Sequence, residues 1–230
     1  SRSIIGRAVS GKTRVVTQSI AHLIELGITS SEIMAVTFTN KAAVEMKRRV
    51  QALTNAKVMC VTFHSLGARI LREMIPSLGY ESSFTIYDED DAHKVLKDCM
   101  QTLQIKVEKA KIRSYKSAIS SFKDNLLEPS QVSPETDEEK QILKVYELYQ
   151  TKLKSYNALD FDDLLFLTVK LLKEDPNSNH LLQKRWQFFL VDEYQDTNTA
   201  QYVLTKTLSE KSNNLFAVGD PDQSIYSWRG

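Results

Sequence analysis

The sequence predicts an α/β fold, a parallel sheet flanked by helices with a mostly helical segment inserted into it. Three observations carry this reading. Short β-rich runs alternate with longer helix-compatible stretches from Ser3 to Tyr87, strand signals then cease until about Asn179, and they return at Phe188-Phe189-Leu190-Val191 and Leu215-Phe216-Ala217-Val218. Strands separated by helices of roughly ten or more residues build βαβ units, and such connections leave the strands parallel.

Taken in order, Ser3-Ile4-Ile5, residues 33–38, residues 58–61 and residues 84–87 read as strands because they are apolar and rich in β-branched side chains. Residues 11–26, 40–53 and 64–74 read as helices, with Asn40 as an N-cap and Gly27 as a stop. From Asp88 to Asn179 the chain is charge-laced, and Ile142, Leu143, Tyr146, Tyr149 and Leu153 fall at helical spacing. Residues 129–139 are polar, acidic and proline-bearing, as an exposed loop requires. A helix over 199–208 separates the last two strands. The expected division is therefore a discontinuous α/β domain from 1–88 and 180–230, interrupted by a helical subdomain at 89–179.

With 42% hydrophobic and 26% charged residues in 230, the chain can bury a core and is not a disordered tail. A net charge of +1 gives no global basic surface, so contact with nucleic acid has to rest on local basic and aromatic clusters. Cys60 and Cys99 are too few and too far apart for a zinc site or a disulfide framework, which suits a reducing compartment. No run approaches the ~20 apolar residues that span a bilayer, and the N-terminus lacks the layout of a signal peptide, so neither insertion nor export is expected.

Two motifs carry chemistry. Gly6-Arg7-Ala8-Val9-Ser10-Gly11-Lys12-Thr13 fits G-x-x-x-x-G-K-[ST], a phosphate loop, between a strand and a helix start. In such a loop backbone N–H groups cradle phosphate, Lys12 supplies a point charge to the β/γ oxygens, and the Thr13 hydroxyl can ligate Mg²⁺. The alternative is a glycine turn with a surface lysine. Phe189-Leu190-Val191-Asp192-Glu193 places two carboxylates at the carboxyl end of a strand, the edge of an open α/β sheet where ligands bind. There Asp192 would hold magnesium and Glu193 would polarise the water that attacks a γ-phosphate. The alternative is an acidic turn, which the company of Lys12 and Thr13 disfavours.

Asp192-Glu193-Tyr194-Gln195-Asp196, followed by Val218 to Gly230 with Gln223, Tyr226, Trp228 and Arg229, resembles motifs II and III of UvrD/Rep/PcrA-type superfamily 1 DNA helicases. Residues 35–43 resemble motif Ia, residues 61–66 resemble motif Ib, and Asp160-Phe161-Asp162-Asp163-Leu164-Leu165 matches a signature near the end of that family's helical insertion. The resemblance covers essentially the whole chain and implies a RecA-like first motor domain, using ATP and Mg²⁺. It implies that Gly6, Ser10, Gly11, Lys12, Thr13 and Arg14 bind the nucleotide, Arg14 by stacking on adenine, and that Gln195 and Gln223 sense the γ-phosphate. It further implies that Phe38, Tyr226 and Trp228 stack on bases of single-stranded DNA, at ~1–3 kcal/mol per base. Thr39, Asn40, His64, Ser65 and Arg229 would contact the same strand. A core role for Phe38 and a capping role for Asn40 stand as alternatives. Lys106, Lys109, Lys111, Arg113 and Lys116 could face duplex DNA, a solvated helix face being the preferred reading.

Taken as a whole, the resemblance implies a 3′ to 5′ ATP-dependent DNA helicase of repair or replication, in a bacterial-type cytoplasm. Its partners would be single-stranded DNA and single-strand/duplex junctions, and repair or replication proteins. Arg7 and Val9 stand where the family has glycines, so the loop's nucleotide affinity is open. The chain starts at the first strand and stops after motif III, which predicts weak hydrolysis and no unwinding by this polypeptide alone. The rival readings are the helicase subunit of a RecB/AddA-like recombination nuclease, and a catalytically silent DNA- or partner-binding module.

Overall fold

The computed structural model describes residues 12–219, apart from the side chain of Lys12. The chain forms two compact units, one drawn from residues up to 66 and from 172 onward, the other from residues 67–171.

The first unit is a parallel sheet. Its strands are β1 (Ile33–Thr37), β2 (Met59–Thr62), β5 (Phe188–Val191) and β6 (Leu215–Ala217), in the order β2-β1-β5-β6. All five residues of β1 are buried, as befits a strand with neighbours on both edges and covered on both faces. Helix α1 (Lys12–Glu25) lays Val16 and Ile20 on that sheet, and α2 (Asn40–Thr54) adds Met46 and Val50. Against them pack Ile33 and Ala35 of β1, Cys60 of β2, Leu190 of β5, and Val218 just past β6. α1 stops where predicted, because Gly27 takes φ +88 and lets Ile28 N donate to the Leu23 carbonyl at 3.1 Å. The cap of α2 differs from expectation. Thr39, not Asn40, is the N-cap: its hydroxyl accepts from Ala42 N at 3.1 Å, and Asn40 is the first helical residue. The unit is completed by α8 (Pro176–Arg185) and α9 (Thr199–Ser209), the latter capped reciprocally by Asn198 and Gln201.

The second unit is helical, with α4 (Glu89–Thr102), α5 (Lys109–Asp124) and α6 (Asp137–Ser155) around Val95, Tyr115, Val145, Tyr146 and Leu153. Three features differ from expectation. Residues 84–87 do not join the main sheet; β3 (Thr85–Ile86) pairs instead with β4 (Ala158–Leu159), a strand inside the segment read as free of strands. Residues 129–139 are a 3-10 turn at Pro129–Gln131, a short connection, and the start of α6, whose N-terminus is a Thr136/Glu139 capping box. Finally, the first boundary falls at 66/67, within helix α3 (Phe63–Met74), and the second at 171/172, within α7 (Asp163–Glu174). β3 draws the chain before residue 88 into the helical unit because its strand partner among the described residues, β4, lies there. Inside that unit α3 and α7 approach so closely at Gly67 that an added Cβ would meet the Leu164 carbonyl oxygen at 2.3 Å.

An ionic cluster lies at the heart of this unit. Lys123 is fully buried, its Nζ 2.7 Å from Asp160 Oδ2 and 2.8 Å from Asp163 Oδ1. Tyr149 Oη donates to Asp160 at 3.0 Å and Gln150 Nε2 to Asp163 at 3.1 Å. The backbone N–H groups of Asp160 and Asp163 each donate to the other's carboxylate. Two carboxylates thus share one ammonium. Although burial opposes it, Lys123 holds Asp160 below the ordinary aspartate range, while burial and then the Asp160 charge push Asp163 up to about 7. A carboxyl whose folded pKa is raised binds its proton more tightly in the native state, so its contribution is present at low pH and lost as pH rises through that value. The stability difference between wild type and Asp163→Asn should therefore change by a few kcal/mol between about pH 4 and pH 7, against the variant at the acid end. Urea titrations of both proteins across that range measure it, and parallel curves would refute the shift.

Of the basic residues singled out in the insertion, Lys106 pairs with Glu108 and Lys116 with Glu89, while Lys111 reaches Gln141 and lies over the Tyr115 ring. Lys109 and Arg113 are exposed. Among the described residues no helix is long and apolar enough to cross a membrane.

Candidate nucleotide and nucleic-acid site

The predicted site residues that the structure describes lie at the carboxyl edge of the main sheet. β5 ends at Val191, and Asp192 continues its ladder by one residue, donating its N–H to the Val36 carbonyl at 3.0 Å. The Asp192 side chain is almost completely buried. Its Oδ2 accepts from the Thr13 hydroxyl at 2.7 Å, and its Oδ1 from the N–H of Glu193 at 3.0 Å. Residues 179 positions apart in sequence are thereby joined, the first turn of α1 to the end of β5.

The backbone reverses immediately afterwards. Glu193 takes φ +57, a left-handed conformation that costs a non-glycine residue about 1 kcal/mol, and its side chain is exposed beside the buried Asp192. The two adjacent carboxylates so acquire different environments. Tyr194 ties the turn to the next strand, its N–H donating to the Val218 carbonyl at 2.9 Å and its ring lying 6.4 Å from that of Tyr202. Burial pushes the Tyr194 phenol up to about 12. Gln195 is half-buried against Gly219, where any Cβ would come within 2.9 Å of Gln195 Oε1 and 3.1 Å of its backbone nitrogen. Arg14 is exposed one residue beyond Thr13.

Further along the same edge stand the starts of α2 and α3, which follow the neighbouring strands β1 and β2. Phe38 is half-buried, its ring edge-on to that of Phe63 with centroids 5.4 Å apart. Phe63 is itself core, so Phe38 is a ring held on a rigid base and still accessible. Thr39, Asn40 and Ser65 are exposed, and His64 is half-buried. Thr62 shapes the second helix start: its hydroxyl donates to Ser65 Oγ at 2.9 Å and accepts from Ser65 N at 3.2 Å. Burial holds the His64 imidazole down to about 4, so at neutral pH it can hydrogen-bond but carries no charge. Helix starts of this kind offer backbone N–H groups and the positive end of a dipole to phosphate.

Gly6, Arg7, Val9, Ser10, Gly11, Gln223, Tyr226, Trp228, Arg229 and the strand expected at residues 3–5 lie outside the described residues, as does the side chain of Lys12. Sequence reasoning gave no role to Tyr194, Thr62 or Thr37, although each lies inside a segment that resembles a family motif.

A family model described as the UvrD/REP helicase N-terminal domain matches residues 2–230. The chain belongs to that family. Its RecA-like α/β architecture agrees with the parallel sheet and flanking helices of the first unit. Among curated relatives, the ATP-dependent DNA helicase PcrA of Staphylococcus aureus is 45% identical and that of Staphylococcus epidermidis 43% identical, each over 99% of this chain. The chain spans 32% of the length of these relatives. Within the UvrD/REP frame, the Asp192-Glu193 turn and the helix starts at Thr39 and Ser65 share one sheet edge, on three adjacent strands, β5, β1 and β2.

Proposed function

We propose that this chain is the ATP-binding and single-stranded-DNA-binding part of a DNA helicase that moves 3′ to 5′, serving repair or replication in a bacterial cytoplasm. The observation that carries the reading is the bond from Thr13 to Asp192, which brings the phosphate-loop helix to the acidic strand end. A hydroxyl and a carboxylate are both hard oxygen donors, the set magnesium prefers when substrate phosphates and water complete its shell. When bound, such a cation neutralises phosphate charge.

The chain's own residues then divide the work. Thr13 and Asp192 would hold the cation, and Lys12 would supply positive charge to the β/γ-phosphate oxygens. Glu193, turned out of the core by its left-handed backbone, orients and deprotonates the attacking water. Gln195, seated on Gly219 two residues past β6, would report on the γ-phosphate. Phe38 stacks on a base, while the starts of α2 and α3 hold the strand's phosphates. The two ligands meet one rigid sheet edge, and that proximity is the physical basis for coupling hydrolysis to strand movement.

Titration with a fluorescent ATP analogue in Mg²⁺ tests the reading, with Lys12→Ala as control. Micromolar binding by wild type and a loss of tenfold or more in the control are expected. Absence of binding by the folded wild-type chain, or equal binding by the control, would overturn it.

A further inference from the structure

The helical unit holds a cavity of about 220 Å³ between the turn after α3, the 3-10 turn at Pro129, and helices α6 and α7. Leu78, Tyr80, Tyr146, Phe166 and Leu167 give it mostly apolar walls, and all of these but Leu78 are buried. The Tyr146 hydroxyl is committed to the Leu127 carbonyl at 3.2 Å, so what Tyr146 offers is its ring. An apolar cavity of about 150 Å³ takes up benzene, and this one has room for a somewhat larger ring system. Spaces between packed helices are common places for such ligands.

One polar group in the lining is unmatched. Gln150 Nε2 donates to Asp163 Oδ1 at 3.1 Å, while Gln150 Oε1 is buried and has no partner among the described residues. The amide cannot exchange its two ends, because Asp163 Oδ1 is already the acceptor for the Lys123 ammonium at 2.8 Å, and an oxygen turned to it would meet oxygen. An unpaired buried carbonyl is costly and calls for a donor. Water is a poor candidate: a buried water makes about three hydrogen bonds, and in the same lining Thr151 is committed to the Glu147 carbonyl at 2.8 Å as Tyr146 is to Leu127. The lining's one carboxylate, Glu128, pairs with Lys170, so a cationic ligand finds no counter-charge. Lys154 is exposed, its ammonium resting on the Leu78 carbonyl at 2.9 Å and over the Tyr80 ring. Size, walls and the single unmatched acceptor therefore select a neutral ring that carries an N–H.

We propose that this cavity binds a small neutral heteroaromatic compound of indole size, its ring among Tyr80, Tyr146 and Phe166 and its N–H donated to Gln150 Oε1. The site lies wholly within the helical unit and is independent of the nucleotide reading. Its effect extends to the ionic cluster, because Gln150 belongs to both. An amide whose oxygen accepts a hydrogen bond donates more strongly through its nitrogen, here to Asp163. A bound ring thus tightens the cluster around Lys123 and, by occupying only the folded state, stabilises the helical unit.

The test titrates the intact 230-residue chain with indole and with benzofuran, its isostere with oxygen in place of N–H, following the Gln150 side-chain amide by NMR and the unfolding midpoint in urea. Indole should bind saturably with a Kd below about 1 mM, shift the Gln150 amide resonance and raise the midpoint, while benzofuran should bind about tenfold more weakly. Leu78→Trp, a substitution at a half-buried position, should fill the cavity and abolish the indole-induced shift. Should that variant fail to fold, the two ligands on wild type decide alone. No saturation by indole, benzofuran bound as tightly as indole, or shifts that spare Gln150 would each overturn the proposal.

Discussion

Lys123→Met should cost on the order of 3–5 kcal/mol of folding stability, read as a large fall in the urea midpoint. The ammonium is fully buried and is the counter-charge shared by two carboxyl groups at the β4–α7 junction, with Tyr149 and Gln150 of α6 and the backbone N–H groups of both aspartates as further donors. Methionine fills a similar volume but leaves Asp160 and Asp163 facing each other without a cation, and one uncompensated buried charge is among the most expensive defects a core can hold. For a domain stable by about 5–15 kcal/mol, the loss would be a large share of the total. Adding Asp160→Asn and Asp163→Asn to Lys123→Met should recover much of it, because the penalty lies in the stranded charges and not in a missing attraction. A loss below about 1 kcal/mol for the single variant would show that the cluster is not held together by the lysine.

Asp192→Asn should leave the fold nearly intact and abolish most of the Mg²⁺-dependent gain in nucleotide affinity, a change of about ten- to a hundredfold. The amide retains one oxygen, which can go on accepting from either the Thr13 hydroxyl or the Glu193 N–H, so one of the two local bonds at the turn after β5 is kept. What disappears is the negative charge, which a hard divalent cation requires and an amide does not supply. Binding of a fluorescent ATP analogue with and without Mg²⁺ decides it. If the Mg²⁺ gain survives in Asp192→Asn, the carboxylate has no part in holding the cation, and Glu193 becomes the residue to examine.

Much of the first unit was legible in the sequence because its signals are local. β1 and β5 are apolar runs of the length a buried parallel strand takes, and the glycine that stops α1 sits where a left-handed residue is needed. The phosphate-loop threonine and the acidic strand end were readable as chemistry, since hydroxyl, carboxylate and strand-end position are each visible in a short window. The helical unit was less legible. β3 and β4 are two residues each, too short to show alternation, and they pair across about seventy residues of intervening helix. Asn40 misled because asparagine is the stronger N-cap former of the two, and only the backbone turn at Thr39 decides between them.

The sequence by itself determined which hydroxyl, carboxylate and aromatic side chains stand at the strand ends and helix starts, and that strands and helices alternate around them, because composition and periodicity are properties of short segments. Only the tertiary structure decided that Thr13 reaches Asp192. The same holds for Lys123, the counter-charge to a pair of aspartates that the sequence shows only as an acidic stretch. The physical reason is common to both. A hydrogen bond or ion pair in a core depends on register and burial, and these are set by strands and helices that meet only after the chain between them has folded.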